Sequence, residues 1–212
     1  MSSTRIIVTG TDTGIGKTVF AAALTAALGG SYWKPVQAGF EPDGTGDVDA
    51  VARLSASPRD RILPSAYTLA TPCSPHRAAE IDGLTIDLDA LTPPAVEGPL
   101  VIEGAGGVLV PVTRTTTYAD VFASWGYPAV IVARTELGTI NHSLLSIEAL
   151  RSRGVPVLGI AFVGEANADT EATIAEMGQV KRLGRLPRIA HLDAEALAVA
   201  FSANFQLEDF TA

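Results

Sequence analysis

Short apolar runs alternate with longer stretches of helical periodicity from one end of the chain to the other. Residues 5–9, 31–34, 100–103, 129–133, 155–162 and a short piece at 183–186 read as strands. Several are apolar without a break, as in Ala129-Val-Ile-Val-Ala133. Runs of that kind suit a parallel sheet covered on both faces. Residues 17–28, 47–55, 118–125, 141–153, 169–177 and 193–201 carry helical spacing, with Asp169 and Asp193 expected as N-caps and Gly154 and Gly178 as C-terminal stops. No internal repeat or Pro/Gly/Ser linker interrupts the alternation, so residues 1–212 read as one α/β domain, its mostly parallel sheet carrying helices on both faces.

Composition narrows the class. With 47% apolar and 18% charged residues, a chain of 212 can bury a substantial core and is not of disordered type. No apolar run reaches the length of a membrane span, and the N-terminus lacks the basic-then-apolar layout of a signal peptide, which points to the cytoplasm. A net charge of −8 argues against a nucleic-acid partner, since no Lys/Arg cluster is available to displace counterions. Cys73 is the only cysteine, which excludes an intramolecular disulfide and a cysteine metal cage; His76, His142 and His191 are isolated and read as structural.

Ligands of such sheets gather beyond the carboxyl ends of the strands. After the first strand comes Gly10-Thr-Asp-Thr-Gly-Ile-Gly-Lys-Thr18, which runs straight into a helix. This is the layout of a phosphate-binding loop: glycines let backbone N–H groups turn inward, Lys17 reaches the β- and γ-phosphates, and the Thr18 hydroxyl meets Mg²⁺. The usual spacing, G-x-x-x-x-G-K-[ST], puts its first glycine at Thr11, whereas this chain has Gly10 one residue earlier. Lys34 ends the second strand just before Pro35 and is placed to neutralise charge on a transferring phosphoryl group. Glu103 ends the third, in position to hold Mg²⁺. Asp47 and Asp49 open a helix, and either one caps it or supplies a second carboxylate to the metal. Residues 67–76 read only as an ordered loop, and Asn141 either caps a helix or presents its terminus to an anionic group.

The phosphate loop, Lys34-Pro-Val-Gln-Ala-Gly39, Tyr67-Thr-Leu-Ala-Thr-Pro-Cys-Ser-Pro-His76, Glu103-Gly-Ala-Gly-Gly107 and Leu137-Gly-Thr-Ile-Asn-His142 occur in the order found in dethiobiotin synthetases. Over most of its length the chain resembles that family. The resemblance implies a cytoplasmic homodimer of P-loop NTPase-like fold. It implies closure of the ureido ring of dethiobiotin from 7,8-diaminopelargonic acid, CO₂ or bicarbonate, and ATP or another nucleoside triphosphate with Mg²⁺, without a nucleic acid or a membrane. Carried over by position, Lys34, Lys17 and Thr13 would act in catalysis. Gly14, Ile15, Gly16, Lys17, Thr18, Val19, Asp47, Glu103, Gly104, Ala105 and Gly106 would bind the nucleotide, with the base near Val163, Gly164, Pro187, Arg188 and Ile189. Thr18, Asp47 and Glu103 would hold the metal, Asp47 being favoured over Asp49 by its distance from Tyr67. Lys34, Ala38, Ser74, Gly138, Thr139 and Asn141 would bind the substrate, the last three across the dimer interface.

Three positions depart from the family pattern. Ala38 stands where Ser or Thr is common, Gly14 where some members carry glutamate, and Val163 lies where others place an adenine-reading asparagine, so base preference is expected to be loose. The rival class is a regulatory P-loop ATPase of the partitioning or septum-positioning type. Those proteins place a lysine where this chain has Asp12 and commonly carry a DNA- or membrane-binding surface that an acidic chain does not support. A third class, an amidotransferase-linked synthetase domain, would need a glutaminase-like extension.

Overall fold

The computed structural model describes residues 4–211. Its elements run β1 (Arg5–Gly10), α1 (Lys17–Leu28), β2 (Ser31–Trp33), β3 (Val36–Ala38), α2 (Asp47–Ser55), β4 (Tyr67–Leu69), α3 (Pro75–Ile81), β5 (Leu100–Glu103), α4 (Tyr118–Trp125), β6 (Ala129–Arg134), α5 (Thr139–Arg151), β7 (Val157–Val163), α6 (Ala168–Gly178), β8 (Arg182–Leu186) and α7 (Ala194–Asn204). Six strands form one parallel sheet in the order β2-β5-β1-β6-β7-β8. Alternate side chains of each strand feed separate cores. Ile7, Ala129, Ile131 and Phe162 pack toward α3, α4, α5 and α6, while Ile6, Val8, Val130 and Val132 pack toward α1, α2 and α7. Burial on both sides is why these strands read as unbroken apolar runs.

The site is set by where the strand order turns back. From β1 the chain crosses to the β2 edge on one side, and later strands build outward as β6, β7 and β8 on the other, which opens a crevice at the carboxyl end of β1. In register, Val8 lies beside Glu103 and Gly10 beside Val132, while Trp33 lies beside Ile102. The phosphate loop, Glu103 and the residue after β2, Lys34, therefore meet at one edge.

Several local expectations are corrected. β2 stops at Trp33, so Lys34 lies just past the strand end, and Val36–Ala38 pairs instead with Tyr67–Leu69 in a separate two-stranded parallel ladder. Neither of these two three-residue strands stands out as an apolar run in the sequence. Residues 75 and 76, the end of the stretch expected as loop, instead open α3, started by Pro75 at its first turn, where a missing N–H costs nothing. β7 begins at Val157, after Pro156, rather than at residue 155. The α6 cap is Asn167, whose side chain accepts the Thr170 N–H at 3.2 Å, and Asp169 sits inside the first turn instead. Gly178 does not stop α6 but is its last residue; a Cβ there would lie 2.6 Å from Ile147 Cδ1, so the glycine serves helix packing while Gln179 takes the left-handed cap at φ 48°. α5 ends at Arg151 with Ser152 as its cap, and Gly154 turns the chain two residues later at φ 73°. Asp193 caps α7 as expected, accepting the Ala196 N–H at 2.9 Å.

Helix α4 is tied to the turn just past α5 through Asp120. Its carboxylate accepts the Thr117 N–H at 2.8 Å and the Thr117 hydroxyl at 2.6 Å, and takes Arg153 Nε at 2.6 Å. The bonds from Thr117, aided by Arg153, hold the carboxyl at about 2, below its ordinary 3.8. A lowered folded value stabilises above the unfolded value, and the effect fades as pH falls through the folded one. Asp120→Ala is expected to cost about 1 kcal/mol at neutral pH, as loss of a helix cap does. In denaturant melts the gap to wild type should narrow as pH drops from 3.8 toward about 2; a gap constant with pH would contradict this assignment.

Candidate active site

Gly14 (φ 70°) and Gly16 (φ 94°) turn the backbone between β1 and α1 through the left-handed region, and Gly16 caps α1 with no side chain in the way. Lys17 bends back over the loop, its Nζ donating to the Asp12 carbonyl at 2.6 Å. Its stem crosses Gly10, where a Cβ would lie 2.9 Å from Lys17 Cδ and 2.5 Å from Ile15 Cδ1. The motif's first glycine is thus needed at position 10, beneath the lysine, and the shifted spacing is accommodated by the extra residue in the turn. Asp12 accepts the Thr13 N–H at 2.8 Å and lies 3.6 Å from Arg134.

Two carboxylates and a second lysine complete the floor. Lys34 Nζ sits 2.8 Å from Asp47 Oδ2 and 3.0 Å from Glu103 Oε1. Burial opposes the charge on Lys34, yet Glu103 and Asp47 outweigh it and hold the ammonium well above the ordinary lysine range. Lys17 goes the other way: burial lowers it to about 8, with Glu103 resisting the shift and Lys34 adding to it. Asp47 is held below the ordinary carboxylate value, since Lys34, with help from Thr18, overcomes its partial burial.

Thr18 Oγ1 lies 3.0 Å from Asp47 Oδ1 and 2.9 Å from Glu103 Oε1. A hydroxyl has one hydrogen to give, so only one of these contacts can be a donated bond. The other is a close approach of two oxygens, an arrangement a hard cation would relieve. No cluster of three His, Cys, Asp or Glu exists among the described residues, so a metal here would rest on two carboxylates and the hydroxyl, leaving room for water and phosphate oxygens, as Mg²⁺ prefers.

A cleft of about 540 Å³ opens above this floor. A family model described as an AAA domain matches residues 4–196. An ATP-dependent dethiobiotin synthetase of Novosphingobium aromaticivorans is 65% identical over 207 residues, covering 98% of this chain and 99% of the relative. Proteins of the same name from Rhodopseudomonas palustris HaA2 and Nitrobacter hamburgensis are 62% and 61% identical, each covering at least 95% of both chains. The chain belongs to the dethiobiotin synthetase family. Among solved structures, the cell division ATPase MinD of Pyrococcus furiosus superposes with a TM-score of 0.52 at 14% identity over 98% of each chain. The MinC:MinD cell division complex of Aquifex aeolicus gives 0.53 at 14% identity, covering 93% of this chain and 86% of that one. Identities this low show the shared P-loop fold alone.

Of the positions the family resemblance singled out, Thr13, Gly14, Gly16, Lys17, Thr18, Val19, Lys34, Ala38, Asp47, Ser74, Glu103, Ala105 and Gly106 line the cleft together. Ile15 is buried beneath the loop, and Gly104 lies against Phe122, whose Cζ would be 2.8 Å from a Cβ there. Val163 packs on the back of the loop, 2.9 Å from where a Gly16 Cβ would be. Gly164 spends its N–H on the Leu186 carbonyl (3.0 Å) and its own carbonyl on Arg185 (2.9 Å), and Arg188 pairs with Glu136 at 2.8 Å. Of this group Val163 touches the phosphate loop, and neither it nor Gly164, Pro187, Arg188 or Ile189 lines the cleft. Gly138, Thr139 and Asn141 also lie outside it. Gly138 (φ 93°) caps α5, so Asn141 is in the first turn rather than the cap, and the Thr139 hydroxyl is committed to the Arg134 carbonyl at 2.6 Å.

The structure also separates the two aspartates. Asp49 accepts the Gly46 N–H at 3.0 Å and braces the start of α2, while Asp47 turns to Thr18 and Lys34. Gln37 was not foreseen: it accepts the Asp47 N–H at 3.3 Å and donates to the Gly39 carbonyl at 2.8 Å. Glu41, Pro72, Cys73, Pro75 and Val110 complete the cleft lining; Pro72, Cys73 and Pro75 belong to the Tyr67–His76 motif, whereas Glu41 and Val110 carried no sequence signal of a site. Asp47→Asn is expected to lower turnover by about 100-fold, the scale of losing one charge-stabilising group. Asp49→Asn should leave turnover near wild type and cost only stability, because its partners are the Gly46 N–H at the helix start and, at 4.0 Å, the exposed Arg59. Steady-state rates and thermal melts of the two variants check this; equal losses of turnover would refute the division.

Proposed function

We propose that the chain joins 7,8-diaminopelargonic acid and CO₂ into dethiobiotin at the expense of a nucleoside triphosphate. The observation that carries this reading is Lys34: a buried ammonium, kept charged by two carboxylates, at the floor of the cleft and beside the phosphate loop. One amine of the substrate captures CO₂ as a carbamate. A carbamate oxygen attacks the γ-phosphorus and releases nucleoside diphosphate. The second amine then attacks the carbamoyl carbon, and phosphate leaves as the ring closes. Lys17 and Lys34 face the negative charge that gathers on the transferring phosphoryl group and on the carbamate, and Thr13, Gly14 and Gly16 cradle the phosphates. Mg²⁺ would be held by Thr18, Asp47 and Glu103 and would neutralise phosphate charge.

Asp47, whose side chain is 38% exposed, faces the cleft, whereas Glu103 is 1% exposed and supports from below. Ala38 and Ser74 stand on the walls where substrate would lie. Base recognition falls to the flank at Val163, Gly164 and Pro187 to Ile189. Val163 offers no hydrogen bond and both backbone groups of Gly164 are already used, which favours broad use of nucleotides.

The same reading includes a homodimer. Gly138, Thr139 and Asn141 lie outside their own cleft, next to a fully exposed Leu137, and the half-exposed Leu109 and Leu145 line a neighbouring depression with His142. An apolar face around a helix N-terminus suits a second copy of the chain, bringing that terminus to the carboxylate of a substrate in the partner's cleft. No helix among the described residues is long and apolar enough to cross a membrane.

Purified protein with Mg²⁺, bicarbonate and ATP is expected to release phosphate only when 7,8-diaminopelargonic acid is added. Brisk hydrolysis without it would favour a switch ATPase. Lys34→Gln should reduce the substrate-dependent rate by about 10²–10³-fold while nucleotide still binds, since the loop and Lys17 are untouched. Leu145→Glu should yield a monomer by light scattering that binds nucleotide but turns over poorly; an active monomer would remove the shared site from this scheme.

A further inference from the structure

Strand β2 and the residue just past it send two side chains, Tyr32 and Lys34, to the face of the sheet that α1 covers. Tyr32 pairs in register with Val101 and Trp33 with Ile102, so Tyr32 and Lys34, two residues apart, flank Glu103 from the same side. Lys34 takes Glu103 Oε1 at 3.0 Å. The Tyr32 hydroxyl donates to Oε2 at 2.9 Å, and both Tyr32 and Glu103 are fully buried. The two oxygens of the carboxylate thus have separate partners: the phenol on one, and Thr18 with Lys34 on the other.

That division matters because the last torsion of a glutamate is broad and roughly two-fold. Thr18 and Lys34 both sit on Oε1, so with nothing on Oε2 the carboxylate plane is free to swing about that oxygen; a phenol on Oε2 fixes the plane and with it the direction in which Oε1 faces Thr18 and Asp47. Tyr32 is itself well fixed. Its ring lies in the core with Val8, Phe20, Leu54 and Val101, and its backbone is bound to β5 on one side and, through its carbonyl, to Leu63 N at 2.9 Å on the other.

We propose that Tyr32 is a positioning residue that locks Glu103 with Oε1 toward Thr18 and Asp47, and thereby sets the affinity of the site for a divalent cation. This rests on the reading of Thr18, Asp47 and Glu103 as metal ligands. Outer-shell partners of metal-ligating carboxylates act through orientation, and their loss reduces metal affinity without touching the ligands. The competing account is a core tyrosine whose hydroxyl merely finds an acceptor.

The test is a Mn²⁺ titration, followed by electron paramagnetic resonance, of wild type and Tyr32→Phe saturated with a non-hydrolysable triphosphate analogue, beside the analogue's affinity without metal. Tyr32→Phe is expected to weaken Mn²⁺ by about 10- to 100-fold and to leave metal-free nucleotide affinity unchanged. A change in Mn²⁺ affinity under about twofold, or a parallel loss of metal-free nucleotide binding, overturns the proposal. Wild type that binds no Mn²⁺ overturns the metal reading itself, which separates the two failures. Should Tyr32→Phe not fold, fluorotyrosine-labelled wild type gives the answer by ¹⁹F resonance, with Tyr32 assigned by replacing Tyr67, Tyr118 and Tyr127 in turn. Adding Mg²⁺ to the nucleotide complex should move the Tyr32 signal, and an unmoved signal overturns the proposal.

Discussion

A lysine buried between two carboxylates governs this molecule. An ammonium removed from water without a partner costs several kcal/mol, and breaking a buried pair on one side costs about 3–5 kcal/mol. Lys34 therefore needs Glu103 and Asp47 as much as they need it. The requirement binds three distant stretches together: the end of β2, the tip of β5 and the first turn of α2. A register that slid by one residue would turn Glu103 to the opposite face and leave the charge alone.

The placement of chemistry follows from topology. Every strand of the main sheet is parallel, so all carboxyl ends lie on one edge, and the turn-back at β1 opens that edge where the phosphate loop begins. The same architecture serves MinD proteins at 14% identity, which shows how little the fold says about the reaction. What distinguishes this chain is the set of side chains lining the cleft.

Much of this was legible beforehand because it depends on local order. The phosphate loop announces itself by glycines before Lys17 and Thr18, and buried strands by unbroken apolar runs; α1, α2 and α4 begin and end where the periodicity places them. Elements that depend on distant partners were not legible. The β3–β4 ladder joins segments about thirty residues apart with strands too short to show a pattern, and Tyr32 looked like one more apolar strand residue because its hydroxyl acceptor lies seventy-one positions away. Asp47 and Asp49 differ only in which way each faces on the first turn of α2, and the backbone alone decides that. Gly178 carried the signature of a helix stop, but its reason for being glycine is Ile147 on a neighbouring helix.

The small β3–β4 ladder has a mechanical meaning. Lys34 and Pro35 lead directly into β3, while β4 leads directly into Pro72, Cys73 and Ser74 on the opposite wall; the Tyr67 N–H is bonded to the Pro35 carbonyl at 3.0 Å and the Gly39 N–H to the Leu69 carbonyl at 2.9 Å. The base of the cleft and its rim are thus one stiff bracket. A displacement of β3 would therefore carry β4 with it, because the ladder's backbone bonds tie the two strands together.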